Sequence, residues 1–309
     1  MKTVKERAYA KLNLFLDIVG IENGYHMLDT VVTTVDLFDV VTVTARKDKK
    51  IVLKSAGSLY SIKMLSDNQS NNAYKAAKAY MDAFSTSGVD IILNKNIPIG
   101  SGMGGSSADI AAVLNAMEKL YKVGGDIKAV ADSLGSDSGY MLTGGYARLK
   151  GRGEIVEPLD IDKKLYFFVI TASGGVNTTE CYKRYDACGA EPHKATADGL
   201  IGQLMGNNAL DDTNFYNALY APAIEINDKV KEAYDFIKDL SPVATLMSGS
   251  GSSVYGVFDS IELCQWAQSK AKYKFRNTFV LQSLASSELK DKGLFGKNLY
   301  SVEDELSQS

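Results

Sequence analysis

Polar and apolar residues alternate through the middle of the stretch Arg7 to Ile18, the period-two signature of a half-buried strand, with Lys11 and Asn13 on one face. Beyond a turn at Gly24, the Val- and Thr-rich runs Leu28 to Asp36 and Phe38 to Ala45 predict two further strands of an antiparallel sheet. The period then changes. Ala76, Ala77, Tyr80 and Phe84 fall at helical spacing over Asn71 to Phe84, and a short strand follows at Val89 to Leu93. Ile110, Val113, Leu114, Met117 and Tyr121 share one face of a second helix, which starts directly after the glycine-rich loop Ile99 to Ser107. Asp126 is placed to cap a short helix ending at Gly135, a position suited to left-handed backbone, and a strand starts within Gly144 to Lys150. Between them Ser136-Asp137-Ser138-Gly139 reads as a loop.

The second half gives a buried strand at Leu165 to Thr171 and a long helix at Pro222 to Leu240, with proline in its first turn. Strands at Ala244 to Met247 and Ser253 to Phe258 flank a second glycine-rich turn, Ser248-Gly249-Ser250-Gly251, and are followed by helix Ile261 to Tyr273 and strand Thr278 to Leu284. The polar end, Ser286 to Ser309, reads as an appendage. No repeat recurs at a fixed period. A length of 309 residues suggests two lobes or one large domain, and Gly151, Gly153, Pro158 and a charged stretch mark a division. We place it so that 1–157 form an N-terminal lobe, 158–287 a C-terminal lobe and 288–309 an extension.

Charge narrows the function. Lys plus Arg number 34 against 37 Asp plus Glu, so there is no basic footprint for nucleic acid and no polybasic membrane patch. The first residues carry charges too close to a short apolar run for a signal peptide, and no apolar stretch reaches about 18 residues, so a cytoplasmic protein is expected. Cys181, Cys188 and Cys264 are too widely spaced for a disulfide framework or a zinc knuckle. His26 and His193 leave a histidine-built metal site or proton relay at most two candidates.

Gly100-Ser101-Gly102-Met103-Gly104-Gly105 matches the dinucleotide pattern GxGxxG, but the following helix leads to Gly124-Gly125 and another helix, where that fold requires a strand with an acidic residue. A Walker A loop fails because no lysine follows the last glycine. The physics common to both motifs survives: glycines let backbone N–H groups approach an anion, and a helix start offers unpaired N–H groups. Ser106 and Ser107 add hydroxyl donors. A plain strand-to-helix turn is the alternative, and Asp109 would repel an anion unless it points away or binds a cation.

With Ala10-Lys11-Leu12-Asn13-Leu14 ahead of this loop and Met247-Ser248-Gly249-Ser250-Gly251-Ser252-Ser253 behind it, the chain resembles the superfamily of galactokinase, homoserine kinase, mevalonate kinase and phosphomevalonate kinase. Within it, AKLNLFLDI, NGYHMLDTVVTTVDL, NKNIPIGSGMGG, LGSDSGYMLTGGYARLKGRGE and MSGSGSSVYGVF are similar, in order and spacing from residue 7 to about 285, to the branch acting on a cytidine-diphosphate-linked methylerythritol. The resemblance implies an α+β, two-lobed small-molecule kinase fold, with a ribosomal-protein-S5-like N-terminal lobe and a ferredoxin-like C-terminal lobe. It implies ATP-dependent phosphorylation of the 2-hydroxyl of 4-diphosphocytidyl-2-C-methyl-D-erythritol, in non-mevalonate isoprenoid precursor biosynthesis. Mg²⁺ would screen the triphosphate, its ligands unassigned; the partner is a small molecule, and neither nucleic acid nor membrane is expected.

By the same resemblance, ATP lies over Gly100, Ser101, Gly102, Met103, Gly104, Gly105, Ser106 and Ser107, with Asn71 near the adenine. Asp137 matches the aspartate that takes the proton from the substrate hydroxyl, Lys11 the lysine beside it, and Asn13 a substrate-side asparagine. Tyr25 and Tyr182 match two rings that sandwich the cytosine, with His26 reading its edge. Read without the family, Asp137 is equally a turn or cap residue, Lys11 and Asn13 exposed strand residues, Tyr25 a turn-packing ring and His26 a surface residue. Ala108 and Ser106 depart from a usual Gly-Leu-Gly-Gly-Gly-Ser-Ser-Asp loop, Ser138-Gly139-Tyr140 from Val-Pro-Phe and Ala218 from an aspartate. These departures keep open a kinase of another small alcohol, or a silent nucleotide-binding regulator.

Overall fold

The computed structural model describes residues 2–57, 69–189 and 192–291. Its frame is a long hairpin of β1 (Thr3–Glu22) and β2 (Tyr25–Ala45), antiparallel from Thr3 opposite Thr44 to Glu22 opposite Tyr25. The hairpin turns on Asn23 and Gly24, both at positive φ (+51° and +79°), the backbone of the two-residue turn whose twist matches its strands. The two strands expected between Leu28 and Ala45 are therefore one. At Leu37 the pairing with β1 is interrupted only by a bulge, passing from Phe38 opposite Tyr9 to Thr34 opposite Lys11, and the strand runs on through it. Bulges in the pairing between Tyr9 and Lys11 and between Asn13 and Phe15 re-aim the residues between them.

Next come β3 (Ile51–Gly57), α1 (Asn72–Phe84), β4 (Val89–Lys95), α2 (Gly105–Tyr121), α3 (Ile127–Leu134), α4 (Ser138–Thr143), β5 (Tyr146–Gly151) and β6 (Ile155–Leu159). The second half holds β7 (Tyr166–Thr171), α5 (Thr178–Cys188), α6 (Ala197–Met205), β8 (Tyr216–Asn217), α7 (Tyr220–Ile226), α8 (Asp228–Lys238), β9 (Ala244–Met247), β10 (Ser253–Phe258), α9 (Ile261–Ala271), β11 (Thr278–Leu284) and α10 (Ser286–Asp291). Along one edge β2 pairs in turn with β5, β11 and β4, and β11 continues to β7, β10 and β9. The last described strand thus joins the two halves into one sheet.

One core cluster packs β1, β2 and β4 against α1 and α2, while a second gathers around β7 and β10 with α5, α8 and α9. α2 is buried on more than its apolar stripe, Ala108 through Leu114 being covered, because α1, α4 and the hairpin all touch it. Three sequence expectations change. The helix expected over Pro222 to Leu240 breaks at Asn227, whose Oδ1 accepts from Lys229 N–H (3.1 Å) to cap α8, while Nδ2 donates to the Ser173 and Gly175 carbonyls. Gly135 is extended (φ −179°), not left-handed. Residues 286–291 are no loose appendage: Leu289 is buried with Tyr9 and Leu284, and Glu288 pairs with Lys164 at 2.6 Å. The remainder of the expected extension, 292–309, lies outside the described residues.

Candidate active site

Lys11 and Asn13 are not exposed strand residues. Lys11 is 5% exposed, its Nζ donates to Asn13 Oδ1, and Asn13 Nδ2 donates to Thr30 Oγ1 on β2 (2.9 Å). Lys11 Nζ stands 3.5 Å from Asp137 Oδ2. Asp137 occupies the cap position of α4, yet its side chain makes no capping hydrogen bond and is 31% exposed. The cap reading and the chemical reading of this residue are thereby separated, because the backbone holds the helix start and the carboxylate is left to the lysine and the cleft.

The segment expected as a loop, Ser138-Gly139, is the start of α4. Packing stiffens this backbone. Tyr140 OH donates to Gly145 O (2.8 Å) and meets Thr34 Oγ1 at 2.9 Å. A Cβ at Gly139 would lie 2.2 Å from Asp132 Oδ1, so a side chain there would displace the Asp132 carboxylate of α3.

The loop expected as a phosphate cradle is a run of alternating glycines, with Gly100, Gly102 and Gly104 at φ +68°, +74° and +72°. Gly104 caps α2 without a side chain, so the N–H groups of its first turn face outward, the nest geometry that binds anions. Lys11 N–H donates to Met103 O (3.0 Å), tying the cradle to the strand that carries the lysine. The second glycine turn packs on the first: Ser253 N–H donates to Ser101 O (3.0 Å) and Ser252 N–H to Gly100 O (3.3 Å). Ser248, fully buried, accepts from Asn13 N–H (3.3 Å) and donates to Gly102 O (3.0 Å). Asn217 Nδ2 holds the Met247 and Gly249 carbonyls at 2.6 and 2.9 Å. Ser248 and Asn217 carry structural roles that the sequence reading did not assign; the short repeat of serine and glycine after β9 was the available signal.

A Cβ on Gly102 would sit 2.1 Å from Ser248 O, at a φ that side chains avoid. Gly102→Ala is therefore expected to weaken ATP binding by about tenfold or more and to lower stability by about 1–3 kcal/mol. Titration calorimetry and chemical unfolding read the two effects.

Asn71 and Asn72 face this cradle across a cleft of about 360 Å³. Asn71 Oδ1 caps α1 by accepting from Ala73 N–H (2.9 Å), and Asn72 Nδ2 donates to Ser106 Oγ. The anion-repelling tension at Asp109 is resolved by a residue the sequence reading passed over. Lys95 is buried beneath the cradle, donates to Asp109 Oδ2 (2.7 Å) and also to Asp39. Burial pushes the Asp109 carboxyl up to about 7; Lys95 opposes that rise and Asp39 adds to it. The Lys95 ammonium is itself raised, its two carboxylates outweighing its own burial.

A folded-state carboxyl above its ordinary value binds more protons than the unfolded chain between about pH 4 and 7, so its contribution to stability falls as pH rises through that window. The melting temperature of the wild type is accordingly expected to fall more between pH 5 and 7.5 than that of Asp109→Asn, as followed by scanning calorimetry.

The three residues expected around a pyrimidine come only partly together. The Tyr182 ring, on α5, lies 4.7 Å from the His26 ring at 34°, and Asp186 Oδ1 meets His26 Nε2 at 2.6 Å. Burial raises the Tyr182 phenol, and the charges of Asp137 and Cys181 add to the rise. Tyr25 stands outside the stack, 54% exposed, with the Arg152 guanidinium 4.7 Å over its ring. His193 stacks on Tyr216 at 3.7 Å. Among the described residues no three histidine, cysteine or carboxylate side chains gather as a metal cage.

The model of the GHMP kinases N terminal domain matches residues 71–146, and that of the GHMP kinases C terminal matches 193–265. A 4-diphosphocytidyl-2-C-methyl-D-erythritol kinase of Clostridium perfringens strain 13 is 34% identical over 295 residues, covering 93% of this chain and all of the relative. One from Clostridium tetani is 35% identical over 279 residues, covering 87% of this chain and 97% of the relative. Among solved structures, a 4-(cytidine 5′-diphospho)-2C-methyl-D-erythritol kinase superimposes with a TM-score of 0.76 at 27% identity, over 91% of this chain and all of that one. A homoserine kinase from Cytophaga hutchinsonii, at TM-score 0.60 and 19% identity over 92% of this chain and 95% of its own, shares the fold.

Proposed function

Because this chain belongs to the 4-diphosphocytidyl-2-C-methyl-D-erythritol kinase family, within the GHMP kinases, we propose that it transfers the γ-phosphoryl group of ATP to the 2-hydroxyl of 4-diphosphocytidyl-2-C-methyl-D-erythritol. It is a small-molecule kinase of α+β fold, and the relatives favour this reading over a different alcohol or a silent regulator. The observation that carries the chemistry is the Lys11–Asp137 pair, 3.5 Å apart, beside the glycine cradle at the start of α2.

Phosphoryl transfer asks a protein for positioning and charge neutralisation rather than covalent chemistry. In our reading Asp137 accepts the proton of the substrate hydroxyl as its oxygen attacks the γ-phosphorus and ADP departs. Lys11, held by Asn13, sets its ammonium 3.5 Å from the Asp137 carboxylate and orients the hydroxyl. Gly100 to Ser107 receive the triphosphate, Asn71 borders the adenine, and His26, Tyr182 and Tyr25 form the pyrimidine end. Ser106 Oγ, a hard oxygen lining the cleft, is the protein atom that would hold a Mg²⁺ ion brought in with the nucleotide. Bound there, Mg²⁺ would neutralise charge developing on the phosphate oxygens. A cytoplasmic enzyme is part of the same proposal; no helix among the described residues is long and apolar enough to cross a membrane.

Coupled ADP release tests the reading with the cytidine substrate against mevalonate, homoserine and galactose. Turnover of the cytidine compound alone supports it. Turnover of one of the other three, with none of the cytidine compound, overturns it.

A further inference from the structure

The turn between β5 and β6 runs from the pyrimidine end of the site to its reacting end. At one end of it the Arg152 guanidinium covers the Tyr25 ring at 4.7 Å. At the other, Gly153 (φ +114°) lies so close to the base that a Cβ there would be 3.4 Å from Asp137 Oδ1. A substrate with its nucleobase at Tyr25, His26 and Tyr182 and its hydroxyl at Asp137 has to pass its linking phosphates along this turn.

The charges on the turn are distributed to suit that passage. Lys150 is matched by Glu157 at 2.8 Å. Glu154 folds back to accept from Arg152 N–H (2.7 Å), which fixes the turn by its backbone. The Arg152 guanidinium itself pairs with no carboxylate among the described residues, and rests only on the face of an exposed ring. A guanidinium offers a planar fork that matches phosphate oxygens two at a time, and such charge-assisted bonds are stronger than an exposed contact with a ring face.

We propose that Arg152 is a specificity-determining residue that leaves the Tyr25 ring to bind the diphosphate of the incoming substrate, freeing that ring to stack on the base; the inference rests on the cytidine reading given above. It makes the diphosphate, and not the base alone, a determinant of recognition.

The test compares cytidine 5′-diphosphate with cytidine by titration calorimetry, on the full chain saturated with ADP. Wild type is expected to bind the diphosphate at least about tenfold more tightly than the nucleoside. Arg152→Gln should erase most of that preference and Arg152→Lys should retain part of it. In steady-state kinetics Arg152→Gln should raise KM for the cytidine substrate about tenfold, with kcat within about threefold and KM for ATP unchanged. A diphosphate preference that survives Arg152→Gln, or that wild type lacks, overturns the proposal, as does a fall in kcat at unchanged KM. Failure of the cytidine reading shows separately, as absence of ADP release from wild type with the cytidine substrate.

Discussion

Asp137→Asn is expected to lower kcat by about 10²- to 10⁴-fold, the usual contribution of a positioned general base. Asparagine keeps the shape of the side chain and cannot take up the hydroxyl proton at neutral pH. The backbone of α4 should not suffer, because Asp137 holds the helix start by its carbonyl, which accepts from Met141 N–H (3.0 Å), and not by its side chain. Lys11 keeps its place through Asn13 Oδ1. Nucleotide binding, followed by the thermal shift with ATP, should therefore stay close to wild type while turnover collapses. A variant that keeps kcat within about threefold of wild type removes Asp137 from the role of base.

The largest loss of stability is expected at a residue with no part in proton transfer. Lys95 is 4% exposed and lies between Asp39, fully buried, and Asp109, 4% exposed. Lys95→Met takes the cation from two covered carboxyl groups, so Asp109 has to hold a proton at neutral pH and Asp39 loses its buried partner; breaking a buried pair in this way costs about 3–5 kcal/mol. That is a large share of the ordinary 5–15 kcal/mol of a folded domain, so the variant should unfold at a much lower denaturant midpoint. Asp39 also accepts from Asn96 and Ile97 N–H, which anchor the chain ahead of the cradle, so ATP affinity should fall with stability. Adding Asp109→Asn puts a neutral side chain where the carboxyl would have to hold a proton and should restore part of the loss. A Lys95→Met midpoint close to wild type at unchanged denaturant slope would show that the pair carries little of the fold.

Much of the site was legible in the residues, and the illegible part has a physical pattern. The two glycine loops stand out because few residue types tolerate positive φ, and α2 because its apolar spacing is strict. Lys11 and Asn13 share a strand face by simple alternation, but alternation says nothing of what covers that face, and both turned out buried. Asp109 looked repulsive beside an anion because its partner Lys95 belongs to another strand. Tyr25, His26 and Tyr182 could be grouped by resemblance, whereas the stack of His26 on Tyr182 and the transfer of Tyr25 to Arg152 depend on how α5 and the turn after β5 meet the hairpin end.

The sequence by itself determined β1, β4, β7, β9, β10 and β11, the helices α1, α2, α3 and α9, most of the glycines that bend backward and the residue types fit for a phosphate cradle, since each follows from local periodicity and steric freedom. It did not determine the unbroken β2, the break at Asn227 or the helices α4, α5 and α6. Tertiary structure decided which of them meet: that Asp137 faces Lys11 instead of capping a helix, that Ser248 locks one glycine loop to the other, and that Lys95 neutralises Asp109. These are contacts between residues far apart along the chain. Hairpin register, strand bulges and helix docking set them together, and a local pattern records only that a face is buried, not which charge or carbonyl lies opposite it.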